Sequence, residues 1–196
     1  TWRCEQCGAR DMDRKAKEKA LEAFLVAAAR TGDRAAQARL VRLRGPRLMA
    51  HAARLLGEAE GARDVTQDAW VEILRGLGRL RDDAAFLPWA LRIVTRRVAR
   101  VIRARQRDRA LAAAFDAEAP RHLPDPSGAT AAAAELHRAI ASLPPDQAAA
   151  IALFYLEDLS VAEVAQALDA PIGTIKTRLM HARGKLRTIL EGENNG

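Results

Sequence analysis

The sequence predicts an all-α protein: two small helical domains joined by a flexible linker. Three observations carry that expectation. Alanine supplies 43 of the 196 residues and arginine 27, whereas valine and isoleucine together supply 17 and tyrosine one. Ala, Leu and Arg favour helix, and β-branched and aromatic residues favour strand, so a β-sandwich or doubly wound sheet is disfavoured. Apolar residues recur at a 3.6-residue period over about 15–107 and again from about Ala131 to Leu190. Between these stretches, residues 108–135 bring Pro120, Pro124, Pro126 and Gly128 together with Asp116, Glu118 and Asp125. There the periodicity lapses apart from a Leu111–Phe115 patch, which reads as a linker.

The elements follow in order. Residues 1–14 are set apart as an extension or cloning remnant: they hold Cys4, Cys7 and Trp2, and Met12-Asp13-Arg14-Lys15 reads like a start. The first domain is expected over 15–107. Thr31-Gly32-Asp33 ends one helix and caps the next. Gly45-Pro46 predicts an interruption, and Gly57 to Gly61 a second. Helix resumes through Asp64 to Leu77, Gly76 and Gly78 weaken its end, and Arg81-Asp82-Asp83 reads as a loop. From Phe86 to Arg107 the amphipathic pattern is clearest. Leu87, Leu91, Val94, Val98 and Val101 form one stripe, and Arg92, Arg96, Arg100, Arg103 and Arg107 the opposite one.

The second domain is expected over 136–191, with a tail at 192–196. Ser160-Val161-Ala162-Glu163 is a capping box, in which hydroxyl and carboxylate reciprocally satisfy amides at a helix start. The helix it opens is broken by Asp169-Ala170-Pro171. A second helix begins near Ile172 to Thr174, with an apolar stripe of Ile175, Leu179, Ala182, Leu186 and Ile189. A short helix, a tight turn and a basic second helix is the helix-turn-helix arrangement. Residues 137–170 hold one Arg against five acids, whereas 171–190 hold five basic residues and no acid. One basic helix on a nearly neutral domain is an electrostatic footprint for a duplex; an ordinary hairpin with a solvated face is the plainer alternative.

Composition also bounds the function. The net charge is +7. The longest apolar run, Ala148 to Leu156, is too short for a bilayer, and no secretory leader opens the chain. Two cysteines exclude a disulfide framework and make a reducing cytoplasm the expected compartment. Cys4 and Cys7 would be half a zinc site, but none of His51, His122, His137 and His181 lies near them. No metal, cofactor or small-molecule substrate is therefore expected, and no membrane insertion. An enzyme would need clustered carboxylates or a nucleophile with its base. Asp64 and Asp68 share a helix face without a third ligand, so no enzyme is expected.

At this point the residues resemble a known family. Gly32-Asp33-Arg34-Ala35-Ala36, Pro46-Arg47-Leu48 and Ala53-Arg54-Leu55-Leu56-Gly57 resemble the opening of region 2 in bacterial sigma factors. Asp64-Val65-Thr66-Gln67-Asp68-Ala69-Trp70 resembles its acidic polymerase-binding helix, and Phe86-Leu87-Pro88-Trp89-Ala90-Leu91-Arg92-Ile93 the helix after the minus-10 reading loop. Leu143-Pro144-Pro145-Asp146-Gln147, Tyr155-Leu156-Glu157-Asp158-Leu159-Ser160 and Gly173-Thr174-Ile175-Lys176-Thr177-Arg178-Leu179 resemble region 4. The signatures cover about 20–107 and 136–190, in family order, with no region 3 between them. That form is similar to the extracytoplasmic-function (ECF) group of the sigma-70 family.

The resemblance implies a factor that binds RNA polymerase core and directs promoter-specific initiation. Asp64, Gln67 and Asp68 would meet the coiled coil of the largest subunit, and the flap region would be the second contact. Arg81, Asp82, Asp83, Ala84 and Ala85 would form the minus-10 loop, Phe86 would contact a base, and Arg92, Arg96 and Arg97 would hold the non-template strand. On the last helix, Thr174, Lys176, Thr177, Arg178 and His181 would read the minus-35 duplex, with Arg183 and Lys185 on phosphates. Thr177 and His181 share the face away from the apolar stripe and should enter deepest. An anti-sigma factor covering both domains is the expected regulator. One departure stands out: where the family often has Asp-Ala-Glu-Asp, this chain has Gly61-Ala62-Arg63-Asp64. Thr66 reads as a surface threonine within the same face, where phosphorylation would add about −1.5 to −2 charges. Trp70 and Trp89 read as core. The alternative is a free-standing helix-turn-helix regulator, which would need a sensory pocket or phosphoacceptor that the helical first half does not offer.

Overall fold

The computed structural model describes residues 5–114 and 131–193. Cys4, the proline-bearing part of the expected linker and the last residues of the tail lie outside them. Helix α1 (Glu5–Arg30) starts within the segment set apart above, and α2 (Arg34–Leu56), α3 (Ala59–Gly76) and α4 (Phe86–Ala114) complete the first half. Two 3-10 turns, Leu77–Arg79 and Asp83–Ala85, join α3 to α4. The second half holds α5 (Ala131–Ala141), α6 (Pro145–Ile151) running into a π-helical segment (Ala152–Leu156), α7 (Val161–Leu168) and α8 (Ile172–Glu193). No strand occurs among the described residues, and none of their helices is long and apolar enough to cross a membrane.

The caps explain the boundaries. Gly32 takes φ +92° at the end of α1, and the Asp33 carboxylate then accepts from Ala35 N at 2.8 Å and Ala36 N at 3.1 Å, opening α2. Gly57, with φ +76°, closes α2 in the left-handed conformation that glycine adopts without strain. Both halves of the Ser160–Glu163 capping box form, and Asp169 ends α7 at φ +51°. The expected break at Gly45-Pro46 is absent, because α2 passes straight through. A proline inside a helix costs about 3 kcal/mol. Here Leu40, Arg44, Leu48, His51, Ala52 and Leu55 are all buried along the same helix, and their packing outweighs the local penalty.

The core of the first half is the Leu91, Val94, Val98 stripe of α4, packed with Leu40, Leu48, Ile73 and Phe86. Helix α1 is tied to it by a buried ion pair, Arg44 with Glu22, which Glu18 joins at the rim. Burial raises the Glu22 carboxyl pKa even though Arg44 opposes the shift. The second half closes on Ile140, Leu153, Leu159, Val164, Ile175, Leu179 and Ala182. The apolar clusters of the two halves are continuous. Replacing the α2 cap, Asp33→Ala, should cost about 0.5–2 kcal/mol, read as a lower urea midpoint with an unchanged slope.

Candidate nucleic-acid interface

Buried stripes fix which side chains α3 and α8 turn outward. On α3, Ala62, Val65, Thr66, Ala69, Trp70 and Ile73 face the core, which turns Asp64, Gln67 and Asp68 outward together. Asp68 is already paired: Arg97 Nη1 lies 3.1 Å from its Oδ2, and Arg97 Nη2 lies 3.0 Å from Glu72 Oε2. Thr66 is not on this face. It is buried, and its hydroxyl donates to Ala62 O at 2.7 Å, so the phosphorylation reading fails on access. Gly61 also has a local reason. A Cβ there would fall 2.4 Å from Glu58 Oε1 and 3.0 Å from Arg105 Nη2, two groups that pair with each other.

The loop ahead of α4 is better ordered than a plain loop. Asp82 Oδ1 accepts from Ala84 N at 2.9 Å, and Asp83 receives Arg30 Nη1 at 2.7 Å. Arg81, Asp82 and Ala84 stay exposed, and Ala85 is half-buried. Phe86 corrects the sequence expectation. It is fully buried, with its ring centroid 6.5 Å from that of Trp70 and 6.1 Å from that of Trp89, and cannot reach a base. It anchors the loop instead, since exposing the ring would forfeit about 1.5–3 kcal/mol of burial. Of the arginines, Arg96 pairs with Glu72 and Arg97 with Asp68 and Glu72, while Arg92 Nη2 lies 3.1 Å from Asp169 Oδ2 of the second half.

On α8, Ile175, Leu179 and Ala182 are buried, which leaves Thr174, Lys176, Thr177, His181, Arg183 and Lys185 exposed. Thr177 Oγ1 donates to Gly173 O at 3.1 Å, and Arg183 Nε to Leu179 O at 3.2 Å. Arg178 is half-buried, and its Nη2 donates to Asp146 Oδ2 at 2.7 Å. Asp146 therefore orients the Arg178 guanidinium. Arg178, His181 and Lys185 of α8 share a groove of about 1410 Å³ with Arg92, Arg96, Arg100 and Arg103 of α4. Its floor is apolar, from Leu55, Leu56, Val98, Leu143 and Ala148.

Sequence reasoning missed the contact between the halves. Glu157 lies in the region 4 signature, where spacing along the chain points to no partner. Its side chain is 0% exposed, with Arg47 Nε 2.5 Å from Oε2 and Arg54 Nη1 2.6 Å from Oε1. Arg47 Nη2 also donates to the Glu157 carbonyl at 2.6 Å. The partners lie 110 and 103 residues away, so no local pattern could have signalled them. His51 completes the wall. Its Nε2 is 2.8 Å from Thr95 Oγ1, and its Nδ1 is 3.7 Å from Glu157 Oε1. Burial, then Arg54 and Arg47, push its pKa down to about 3, so the ring is neutral and its approach to Glu157 is a contact, not an ion pair.

Two family models match the chain. Residues 40–108 match sigma-70 region 2, and residues 133–186 match sigma-70 region 4. The chain is 30% identical over 178 residues to the RNA polymerase sigma-H factor of Pseudomonas aeruginosa, spanning 85% of this chain and 92% of that protein. It is 34% identical over 176 residues to the ECF RNA polymerase sigma factor SigM of Mycobacterium tuberculosis, spanning 89% and 87%. Two solved structures share its fold at a TM-score of 0.64 and 24% identity. One is the sigma factor RpoE in complex with the anti-sigma factor NepR from Bartonella quintana, covering 78% of this chain and 95% of that one. The other is CnrH in complex with the cytosolic domain of CnrY, covering 88% and 98%.

The depressed His51 pKa carries a sign. The folded chain binds fewer protons than the unfolded one, so stability is present above the ordinary imidazole value of 6.5 and is lost as pH falls toward about 3. Between about pH 6.5 and 5, above the usual carboxylate range, denaturant midpoints should fall with pH. His51→Gln should flatten that slope, and the half-buried His137, also lowered mainly by burial, should account for the remainder.

Proposed function

The chain belongs to the ECF group of the sigma-70 family, with regions 2 and 4, and is a non-enzymatic factor for promoter-specific transcription initiation; within that role we propose that α3 binds the polymerase core, the 81–85 loop with α4 reads the minus-10 element, and α8 reads the minus-35 duplex. One observation carries this reading. The buried stripes of α3 and α8 leave an acidic patch on one helix and a basic face on the other, both open to partners. The acids suit basic groups on the core's coiled coil, and the flap is the partner of region 4. The α4 arginines suit phosphates of an opened strand. This work belongs in the cytoplasm, where core enzyme and DNA are.

The groove between α4 and α8 also suits an anti-sigma factor. Cationic walls over an apolar floor match an acidic, amphipathic segment, and the two structural neighbours are each bound to a second protein. Such a protein would cover both DNA readers at once.

Two experiments test the assignment. Asp64→Arg with Gln67→Arg reverses the α3 patch at exposed positions without disturbing Arg97. Core binding measured by co-purification or fluorescence anisotropy should fall at least about 100-fold, because like charges across an interface cost several kcal/mol, and unchanged binding by a folded variant would sink the reading. On α8, Arg178→Ala and His181→Ala should change which minus-35 sequence is preferred, by about 1–3 kcal/mol for a lost guanine contact. Lys185→Ala should weaken all promoters alike and lower the salt slope by about 0.9. The reverse pattern in promoter-library selection would mean that α8 docks in another rotation.

A further inference from the structure

We propose that Arg30, at the end of α1, is a positioning residue for minus-10 reading: it grips Asp83 and so holds the 81–85 loop where it receives a base, with Asp83 as a strut and not a reader. This rests on the assignment of that loop to the minus-10 element. The loop is pinned at its ends, since Leu80 and Phe86 are buried. Between them its own hydrogen bonds are local. Asp82 Oδ1 accepts from Ala84 N at 2.9 Å, and Asp82 O from Ala85 N at 3.1 Å. Such bonds set the shape of the turn without tying it to the rest of the domain. Among the described residues, the polar contact that reaches the loop from another element is Arg30 Nη1 to Asp83 Oδ1, at 2.7 Å and across 53 positions.

The helix end that carries Arg30 is itself held. Leu25, Val26 and Ala29 bury the inner face of α1, and Gln37 Nε2 of α2 donates to Ala29 O at 3.2 Å. Thr31 Oγ1 donates to Ala28 O at 2.8 Å, and Gly32 turns the chain away at φ +92°. Arg30 thus emerges from a fixed last turn, where the unpaired carbonyls of a helix end favour a cation. The same helix packs against both 3-10 turns that flank the loop. The pairing also suits the loop to nucleic acid. Two adjacent carboxylates would repel the phosphates of an opened strand. Here the Asp82 carboxylate is committed to the turn and the Asp83 carboxylate to Arg30, while Arg81 and the small Ala84 are exposed. An unstacked base is read in a pocket shaped to it, and a pocket on a loop discriminates only when a supporting contact holds the loop in one place.

The test uses holoenzyme assembled from core polymerase and the full chain, selecting from a promoter library randomised in both elements. Arg30→Gln should flatten the base preference at minus-10 by about two- to fivefold, the most that a partly exposed ion pair can hold in place, with minus-35 preference and helical circular dichroism unchanged. Arg30→Lys, which keeps a cation for the single Asp83 contact, should restore most of the preference. Asp83→Asn should reproduce the loss from the loop side, and adding Arg30→Gln to it should change nothing further, since both remove one interaction. A folded Arg30→Gln chain with unaltered minus-10 preference would overturn the strut. So would equal weakening of all promoters with a shallower salt dependence, the mark of an arginine that holds a phosphate itself. Ala84→Leu separates this from the loop assignment. If it shifts minus-10 preference and Arg30→Gln does not, the strut fails and the loop stands as the reader; if neither shifts it, the loop assignment fails and the strut falls with it.

Discussion

Helix α4 has to bury one face and charge the other, and most of the molecule is arranged around that demand. Leu91, Val94 and Val98 are almost fully buried, and at about 1.5–3 kcal/mol for each such side chain they fix the rotation of the helix. Once that rotation is set, the arginines have nowhere to go but the rims and the open side. Arg96 and Arg97 reach α3, Arg105 reaches the turn ahead of it, and Arg92 reaches the second half. The acidic face of α3 and the docking of α7 are thus both tied to one amphipathic helix.

Pairing within the free chain changes what binding means. Asp68, Arg92 and Arg178, all assigned to partner surfaces, are engaged by Arg97, Asp169 and Asp146. Each of those ion pairs is partly exposed, where a pair is worth about 0–1 kcal/mol. In the proposed contacts, engaging polymerase or DNA would exchange weak internal pairs for intermolecular ones. Such exchange contributes modest net affinity and considerable orientation, since the side chains are held near their working positions beforehand.

The region 2 motif also reads differently in three dimensions. Where the family resemblance leads to the expectation of an acid, Gly61 leaves room for the Glu58–Arg105 pair, which binds the start of α3 to α4. Thr66 and Phe86, which looked like surface chemistry, are interior. The exposed face of α3 is correspondingly narrower than its motif suggests, with Asp64, Gln67 and Asp68 turned outward.

The amino-acid order by itself determined what depends on neighbours within a helical turn or two. Asp33, Gly57 and Ser160 with Glu163 set helix boundaries because a cap involves residues two to four apart. The α4, α7 and α8 stripes were legible because periodicity decides which side chains share a face, and the same logic separated the exposed basic face of α8 from its supporting core. Only the tertiary structure decided the rest. Pro46 sits in an unbroken helix because packing from other helices exceeds a local penalty, Phe86 is interior because Trp70 and Trp89 enclose it, and Glu157 acquires its role from Arg47, His51 and Arg54. Those contacts join residues up to 110 positions apart, and the energy of burying a ring or a carboxylate depends on what surrounds it in space, which no spacing along the chain records.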